Sequence, residues 1–181
     1  MDTTKNSKTK NMILVSLFAA LMAICSWISI PAAVPFTLQT MAVFLAVGLL
    51  GGKLGSLCVL VYILLGAVGL PVFSGFKGGV GALLGTTGGY ILGFLLSALL
   101  MWLMEHFLGK KTWVLVLSMV LGLLVCYAFG TVWFRTVYLS TTGEVGWMTV
   151  LGWCVIPFLI PDGLKIALAA FLTVKLKKHI H

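Results

Sequence analysis

Residues 71–90, PVFSGFKGGVGALLGTTGGY, separate two long apolar runs and contain seven glycines between positions 75 and 89. A connector of about five residues is the ordinary way to join two helices. Glycine loses more conformational entropy on ordering than any other residue, and it is favoured where backbone bends sharply or approaches a ligand closely. A long glycine-rich segment that also carries Phe73 and Phe76 therefore predicts part of a binding site.

The composition of the whole chain is typical of a membrane protein. Of its 181 residues, 61% are hydrophobic and 9% are charged, and the formal net charge is +8. Soluble domains carry about 25% charged residues, so little of this chain is expected outside the bilayer. The basic residues lie at the ends of apolar runs and do not form a face interleaved with aromatic side chains. They therefore indicate membrane topology and not nucleic-acid binding.

The apolar segments predict an all-α membrane bundle of six transmembrane helices, in a single domain that comprises residues 1–181. Polar residues 1–11 come first, and the glycine-rich segment, defined as residues 71–88, follows the third helix. Pro157 and Pro161 interrupt the last helix, and broken helices at membrane depth are tolerated where they line protein or a cavity. The predicted helices span residues 12–30, 38–52, 54–70, 87–108, 112–134 and 147–176.

The lysines predict the orientation of this bundle. With six helices and a cytoplasmic N-terminus, only Lys77 lies in an outer loop, which agrees with the positive-inside rule. Both termini are then cytoplasmic, and the glycine-rich segment is outside a cell membrane that the chain crosses several times. The lysines expected on the cytoplasmic side are Lys5, Lys8, Lys10, Lys53, Lys110, Lys111, Lys175, Lys177 and Lys178.

Sequence motifs for metal binding, phosphate binding or hydrolysis are absent. The chain has no GxxxxGK[ST], HExxH or GxSxG pattern. Its cysteines are widely spaced inside apolar runs, which is typical of small core residues and not of a metal site or disulfide framework. We therefore expect no catalytic residue, no metal site, no cofactor and no enzymatic activity. The cysteines are Cys25, Cys58, Cys126 and Cys154.

Two charged residues, Asp162 and Lys165, lie within the last predicted helix. An ionisable group at the bilayer centre costs about 2.5–3.5 kcal/mol on insertion scales, so it normally faces a partner or a wet cavity. At a spacing of three residues the two share a helix face, and a purely structural pair is one interpretation. The neighbouring prolines favour a ligand site, in which Asp162 accepts hydrogen bonds from ligand N–H groups and Lys165 donates to a carbonyl or carboxylate.

Arg135 is the only arginine, and it lies at the outer end of the fifth predicted helix. Two interpretations remain open for this side chain. It is either an anchor at the membrane interface or a clamp for a ligand carboxylate, which its planar fork fits with two hydrogen bonds. The aromatic residues that could form apolar walls around a ligand ring are Tyr90, Trp133, Phe73 and Phe36.

Three stretches together resemble the BioY family, the biotin-specific substrate-binding S subunits of energy-coupling factor (ECF) transporters. They are PFTLQT at residues 35–40, GLPVFSG through GTTGGYILGF at residues 69–94, and PFLIPDGLK at residues 157–165. The resemblance implies the six-helix S-component fold with a biotin pocket near the outer face. It also implies contact with membrane lipid, with a transmembrane coupling subunit and with two ATPase subunits, and no contact with nucleic acid. Biotin would be the transported ligand and not a cofactor.

The resemblance also implies roles for individual residues. Asp162 and Lys165 would bind the ligand, and Tyr90 and the loop glycines would form the wall and lid of the pocket. Ala19 and Ala23, one helical turn apart in the first helix, would dock on the coupling subunit, because small residues let helices approach closely in lipid. The complete predicted substrate-binding set is Asp162, Lys165, Arg135, Tyr90, Gly79, Gly81, Gly85, Gly88, Gly89, Phe73, Gln39 and Trp133.

Biotin suits this set of residues. Its ureido ring offers two N–H donors and a carbonyl, its thiophane ring is apolar, and its valerate chain ends in a carboxylate. We predict that Asp162 contacts the ureido group and that Lys165 or Arg135 contacts the carboxylate. The predicted function is a high-affinity biotin-binding and uptake subunit that binds biotin from outside. The alternatives are a solitary carrier for another vitamin or small carboxylic acid, and an intramembrane enzyme that uses Asp162 and Lys165.

Overall fold

A computed structural model describes residues 3–180 of the chain, and it describes side chains from residue 8 to residue 177. Two short antiparallel strands, β1 (Ser29–Ile30) and β2 (Phe36–Thr37), interrupt an otherwise helical bundle. The helices are α1 (Thr3–Trp27), α2 (Gln39–Leu50), α3 (Gly52–Ala67), α4 (Val80–Leu84), α5 (Gly88–Leu108), α6 (Thr112–Thr141), α7 (Trp147–Cys154) and α8 (Leu159–Ile180). Five longer helices precede the last one, and turns and the two short helices α4 and α7 connect them.

Four segments of the described chain are long and apolar enough to cross a membrane, judged by length and composition. They are Lys8–Trp27, Gly88–Leu108, Thr112–Thr141 and Trp147–Lys177, which contain α1, α5, α6 and the α7–α8 pair. The second and third predicted helices are shorter than expected, with 12 residues in α2 and 16 in α3. At about 1.5 Å per residue they are about 18 and 24 Å long, against a hydrocarbon core of about 30 Å.

The last predicted helix is broken at the point where its prolines occur. A 3₁₀ turn at Ile156–Phe158 separates α7 from α8, and Pro157 lies inside that turn. Pro161 lies in the first turn of α8, where no intrahelical hydrogen bond needs its missing N–H. Asp162 also lies in this first turn. The helix dipole favours a negative charge at that position.

Glycines bring α5 and α6 into close contact and so place residues of the site. A Cβ atom on Gly89 would overlap Trp133, and a Cβ atom on Gly130 would overlap the ring of Tyr90. Both helices therefore approach at positions where only a hydrogen atom fits between backbone and side chain. This close approach fixes the position of the Tyr90 ring at the start of α5.

The two ends of the bundle differ in composition, and we name them accordingly. The glycine end contains the β1–β2 hairpin, the glycine-rich segment and the α7–α8 break. The lysine end contains Lys53 and the α5–α6 connection, followed by the C-terminal half of α8. The glycine-rich segment is folded: Phe73 and Lys77 pair through backbone N–O distances of 2.9 and 3.3 Å, and α4 follows them. Phe76 lies between them with a left-handed φ of 56°.

The structure places the two residues of the predicted docking face on the first helix inside the bundle, and docking on a coupling subunit stays a prediction. Ala19 is 2% exposed and Ala23 is 6% exposed, and both belong to the core of the chain itself. Ser16 and Ala20, which lie on another face of α1, are exposed small residues. Core-facing and lipid-facing positions of a membrane helix are equally apolar, so the sequence does not reveal how the helix is rotated about its axis.

Candidate functional site

A cavity of about 520 Å³ lies at the glycine end, where the hairpin, the glycine-rich segment, α5, α6 and α8 meet. Pockets for small ligands typically measure about 300–1,000 Å³, so this cavity has a suitable size for one small molecule. Seven residues of the predicted substrate-binding set line it. These residues are Asp162, Lys165, Tyr90, Phe73, Gln39, Gly81 and Gly85.

A buried ion pair forms the charged part of this cavity. The Nζ of Lys165 lies 2.7 Å from Oδ1 of Asp162, and the two residues are 8% and 2% exposed. The hydroxyl of Tyr127 donates a hydrogen bond of 2.5 Å to Oδ2 of the same carboxylate. Each carboxylate oxygen therefore has one protein donor, and each retains a further lone pair for a ligand N–H group.

Aromatic rings flank the ion pair. Phe36 on β2 stacks on Phe158 in the 3₁₀ turn, with ring centroids 4.3 Å apart and an interplanar angle of 14°. The Nζ of Lys165 lies 5.4 Å from the centroid of Phe36, within the range of a cation–π interaction. Phe158 at the α7–α8 break therefore supports, by stacking, the Phe36 ring that lies beside Lys165.

A chain of hydrogen bonds attaches the start of the glycine-rich segment to α1, α2 and α3. The amide nitrogen of Gln39 donates to the hydroxyl of Tyr62 at 2.9 Å. The Tyr62 hydroxyl in turn donates to the carbonyl of Val72 at 2.8 Å, and the Ser26 hydroxyl donates to that same carbonyl at 2.6 Å. The ring of Phe73 packs edge-on against Tyr62 at 5.6 Å. Gln39 and Phe73 both line the cavity, so these contacts connect its wall with three helices.

The other end of the glycine-rich segment is attached to α6. Trp133 donates from its indole nitrogen to the carbonyl of Gly85 at 3.0 Å. The hydroxyl of Tyr90 lies 2.9 Å from that of Thr131. Trp133 thus contacts the backbone at Gly85 and does not line the cavity, so its predicted contact with the ligand stays a prediction.

Arg135 does not line the cavity, so the structure does not bring it together with Asp162 and Lys165. Its guanidinium carbon lies 4.5 Å from the ring centroid of Trp147, at the start of α7. Its Nε is buried and has no hydrogen-bond partner among the described residues. The side chain therefore packs between the ends of α6 and α7, outside the binding site.

Three predicted glycines also lie outside the cavity lining, and each has a backbone reason to be glycine. Gly79 has a left-handed φ of 86°, and its N–H donates to the carbonyl of Gly66 at 2.7 Å. A Cβ atom on Gly88 would overlap the carbonyl of Leu83, and Gly89 packs against Trp133. Gly79 and Gly88 shape the segment, Gly89 lets α5 pack against α6, and none of the three lines the cavity.

Lys77 and Tyr127 line the cavity although the sequence did not identify them as site residues. Lys77 is the only charged residue of the glycine-rich segment, and that was the available signal. Tyr127 is a polar aromatic residue in the middle of a long apolar helix. The charged residues that line the cavity are Lys77, Asp162 and Lys165. Their formal charges sum to +1, so the cavity matches a ligand with one negative charge.

The chain is similar to proteins of one known family. The model of the BioY family matches residues 1–181. A biotin transporter from Thermotoga maritima is 41% identical over 170 residues, covering 93% of this chain and 96% of that relative. A probable biotin transporter from Pyrococcus horikoshii is 40% identical over 171 residues, covering 94% and 98%.

A solved structure has the same fold. The crystal structure of the S-component for biotin from an ECF-type ABC transporter matches with a TM-score of 0.84 and 27% sequence identity. The match covers 96% of this chain and 94% of that one.

Proposed function

Because the chain belongs to the BioY family, we propose that it is a biotin-binding and uptake subunit of an ECF-type importer, binding biotin with high affinity from the outer side of the cell membrane. It is a multi-pass membrane transporter component and not an enzyme. The observation that carries this proposal is a cavity with a neutral ion pair at its polar wall and one additional cation. The solitary carrier for another small acid remains the alternative.

The ion pair suits the ureido ring of biotin. Asp162 accepts hydrogen bonds from ureido N–H groups through the lone pairs that Lys165 and Tyr127 leave free. Lys165 has further N–H groups, which donate to the ureido carbonyl. Because the pair is buried and neutral as a unit, it accommodates an uncharged polar ring without adding net charge to the cavity. Phe158 supplies an apolar surface for the thiophane ring.

Lys77 is the cation best placed for the valerate carboxylate. Lys165 already has Asp162 as its partner, and Arg135 lies outside the cavity. Lys77 lines the cavity from the glycine-rich segment while the residue as a whole is exposed. A carboxylate keeps more of its hydration at such a position, and one carboxylate brings the charge of the occupied cavity to zero.

Transport requires partners that this chain does not contain. The sequence has no phosphate-binding GxxxxGK[ST] loop, so a coupling subunit and two ATPase subunits would supply the energy. The matched S-component from an ECF-type ABC transporter supports this partnership. If α1 contributes to docking, the exposed small residues Ser16 and Ala20 are available in this conformation, whereas Ala19 and Ala23 are not. Membrane lipid would surround the remaining apolar surface, and no residue cluster favours nucleic acid.

Titration of the purified protein with biotin tests this proposal. Asp162→Asn should weaken biotin binding about 10- to 150-fold, since hydrogen bonds to charged groups contribute about 1.5–3 kcal/mol. Glu144→Gln removes an exposed carboxylate outside the cavity and serves as the control. Unchanged biotin affinity in Asp162→Asn would contradict the assignment of the ureido site.

The role of Lys77 needs a separate comparison with an uncharged ligand. Lys77→Gln should lower the affinity for biotin about fivefold, the effect of a partly exposed ion pair, and leave the affinity for biotinamide unchanged. Equal losses for both ligands would show that Lys77 does not contact the carboxylate. Copurification with coupling and ATPase subunits distinguishes the importer component from the solitary carrier.

A further inference from the structure

A second cavity of about 310 Å³ lies at the lysine end, between the ends of α2, α5, α6 and α8. It shares no lining residue with the cavity at the glycine end. We propose that this second cavity binds a phosphoryl group, supplied either by the headgroup of an anionic phospholipid or by free phosphate. The proposal is independent of biotin binding and assigns a ligand class to a separate site.

The charged side chains of this cavity leave positive charge unbalanced. Glu105 lines the cavity, and its carboxylate accepts a hydrogen bond from the backbone N–H of Gly52 and pairs with Lys110 at 3.4 Å. Lys111 and Lys177 also line the cavity, and neither has a carboxylate partner among the described residues. The formal charges of the lining therefore sum to +2, which matches a phosphoryl group with one or two negative charges.

The N-terminus of α6 opens onto the same space. The helix begins at Thr112, and the preceding Lys111 makes no side-chain capping hydrogen bond. Thr112 and Val114 line the cavity, and the first N–H groups of a helix have no intrahelical acceptor. In a helix of 30 residues, these donors and the helix dipole favour an anion at this end.

Thr173 is a second and independent indication of a ligand. It lines the cavity and is 1% exposed, yet its Oγ1 has no hydrogen-bond partner in the described part of the chain. A buried hydroxyl without a partner is rare and requires an explanation, such as an unseen ion or ligand. The Oγ1 lies beside Gly48, another lining residue, where a Cβ atom would come within 2.6 Å of it. A phosphoryl oxygen in the cavity would accept a hydrogen bond from this hydroxyl.

The apolar part of the lining favours a lipid as the source of the phosphoryl group. Val47, Met101 and Val174 contribute carbon surface beside the charged groups. Basic pockets between transmembrane helices commonly bind lipid headgroups, with each lysine contributing to the attraction. A free phosphate would use the same donors and leave this carbon surface uncovered, so a direct comparison separates the two sources.

The test uses the purified full-length protein in a neutral detergent and follows its thermal unfolding temperature. The added ligands are phosphatidylglycerol, phosphatidylcholine and inorganic phosphate. Phosphatidylglycerol should raise the unfolding temperature more than phosphatidylcholine does, and Lys177→Gln should lower the phosphatidylglycerol affinity about fivefold. Lys175→Gln is the matched control, because Lys175 lies on the same helix, is exposed and does not line the cavity.

Thr173→Val separates ligand binding from structural stability. Replacing an unpartnered buried hydroxyl with a methyl group should leave the unfolding temperature of the ligand-free protein unchanged or higher. The same variant should reduce the shift produced by phosphatidylglycerol, while biotin binding remains as in the parent.

Each outcome decides either whether the cavity binds a phosphoryl group or which molecule supplies that group. Stabilisation by phosphatidylglycerol alone assigns a lipid, and stabilisation by inorganic phosphate that Lys177→Gln removes assigns free phosphate. Equal effects of phosphatidylglycerol and phosphatidylcholine, without any effect of inorganic phosphate, would overturn the site. Equal losses in Lys175→Gln and Lys177→Gln would also overturn it, because the attraction would then come from surface charge.

Discussion

The cavities at the two ends of the bundle differ in where they leave charge and hydrogen-bonding capacity unused. At the glycine end, the polar side chains buried deepest are partnered, since Asp162 is bonded to Lys165 and Tyr127. The one additional cation, Lys77, is on an exposed residue. At the lysine end, within residues 8–177, the buried hydroxyl of Thr173 has no hydrogen-bond partner, and Lys111 and Lys177 have no carboxylate partner. The first cavity is therefore organised before its ligand arrives, whereas the second needs a ligand to complete it.

The largest expected effect comes from breaking the buried ion pair of Asp162 and Lys165 at the glycine end. Lys165→Met should lower the free energy of unfolding by about 3–5 kcal/mol, because it leaves a buried carboxylate without its cation. The measurement is chemical denaturation in detergent, with Lys175→Met as a control on the exposed face of the same helix. The double variant Asp162→Asn with Lys165→Met should recover part of the loss. A single variant as stable as the parent would show that the pair is not needed for folding.

Two glycine substitutions should separate packing from binding at the glycine end. Gly89→Ala forces a methyl group against Trp133 and should destabilise the protein by about 1–3 kcal/mol. Gly81→Ala meets no protein atom within 4 Å, but Gly81 lines the cavity. It should retain stability and weaken biotin binding. Thermal unfolding and biotin titration of both variants measure this, and loss of stability in Gly81→Ala would contradict the distinction.

Removing one hydrogen bond that holds the glycine-rich segment should lower the free energy of unfolding only slightly, and its main effect should be on the dissociation rate of biotin. Tyr62→Phe removes the hydrogen bond to the Val72 carbonyl, which costs about 0.5–1.5 kcal/mol, and leaves Gln39 without its partner. The dissociation rate of biotin should therefore rise, as measured by displacement of labelled biotin. Tyr138→Phe is the control, since Tyr138 does not line the cavity. Equal dissociation rates in parent and Tyr62→Phe would show that this attachment does not retain the ligand.

The smallest expected effect comes from substituting Arg135. Arg135→Gln should lower stability by about 0.5–1 kcal/mol through loss of the interaction with Trp147. Biotin affinity should stay within about twofold of the parent in the same titration. A tenfold loss of affinity would restore Arg135 as the carboxylate clamp and would contradict the role proposed for Lys77.

The features that the sequence predicted are those that cost much free energy inside a membrane helix, namely charged residues and prolines. Asp162 and Lys165 were identifiable because charged groups inside an apolar helix need a partner, and the structure pairs them inside the cavity. The break between α7 and α8 followed from Pro157 and Pro161 in the same way. The all-α fold is as predicted, but the last predicted helix is divided into α7 and α8, and α2 and α3 are shorter than a bilayer crossing requires.

The rotation of each helix about its axis could not be predicted from the sequence. Ala19 and Ala23 were expected to dock on the coupling subunit and are buried in the chain. Arg135 was left as either an interface anchor or a carboxylate clamp, and it packs on Trp147. In a soluble helix the apolar face identifies the core, but in lipid both faces are apolar. Lys77 was missed for a different reason, since its direction depends on how the glycine-rich segment folds back between Phe73 and Lys77.

The two indole hydrogen bonds on the glycine-rich segment have a spectroscopic consequence. Trp27 donates to the carbonyl of Pro71 at 2.8 Å, and Trp133 donates to the carbonyl of Gly85 at 3.0 Å, so one tryptophan lies near each end of the segment. The emission of an indole depends on its hydrogen bonding and on the polarity around its ring. Any displacement of the segment therefore changes the fluorescence of residues that the chain already contains. If biotin binding displaces the segment, a change in the intrinsic tryptophan emission would report it in the unlabelled protein.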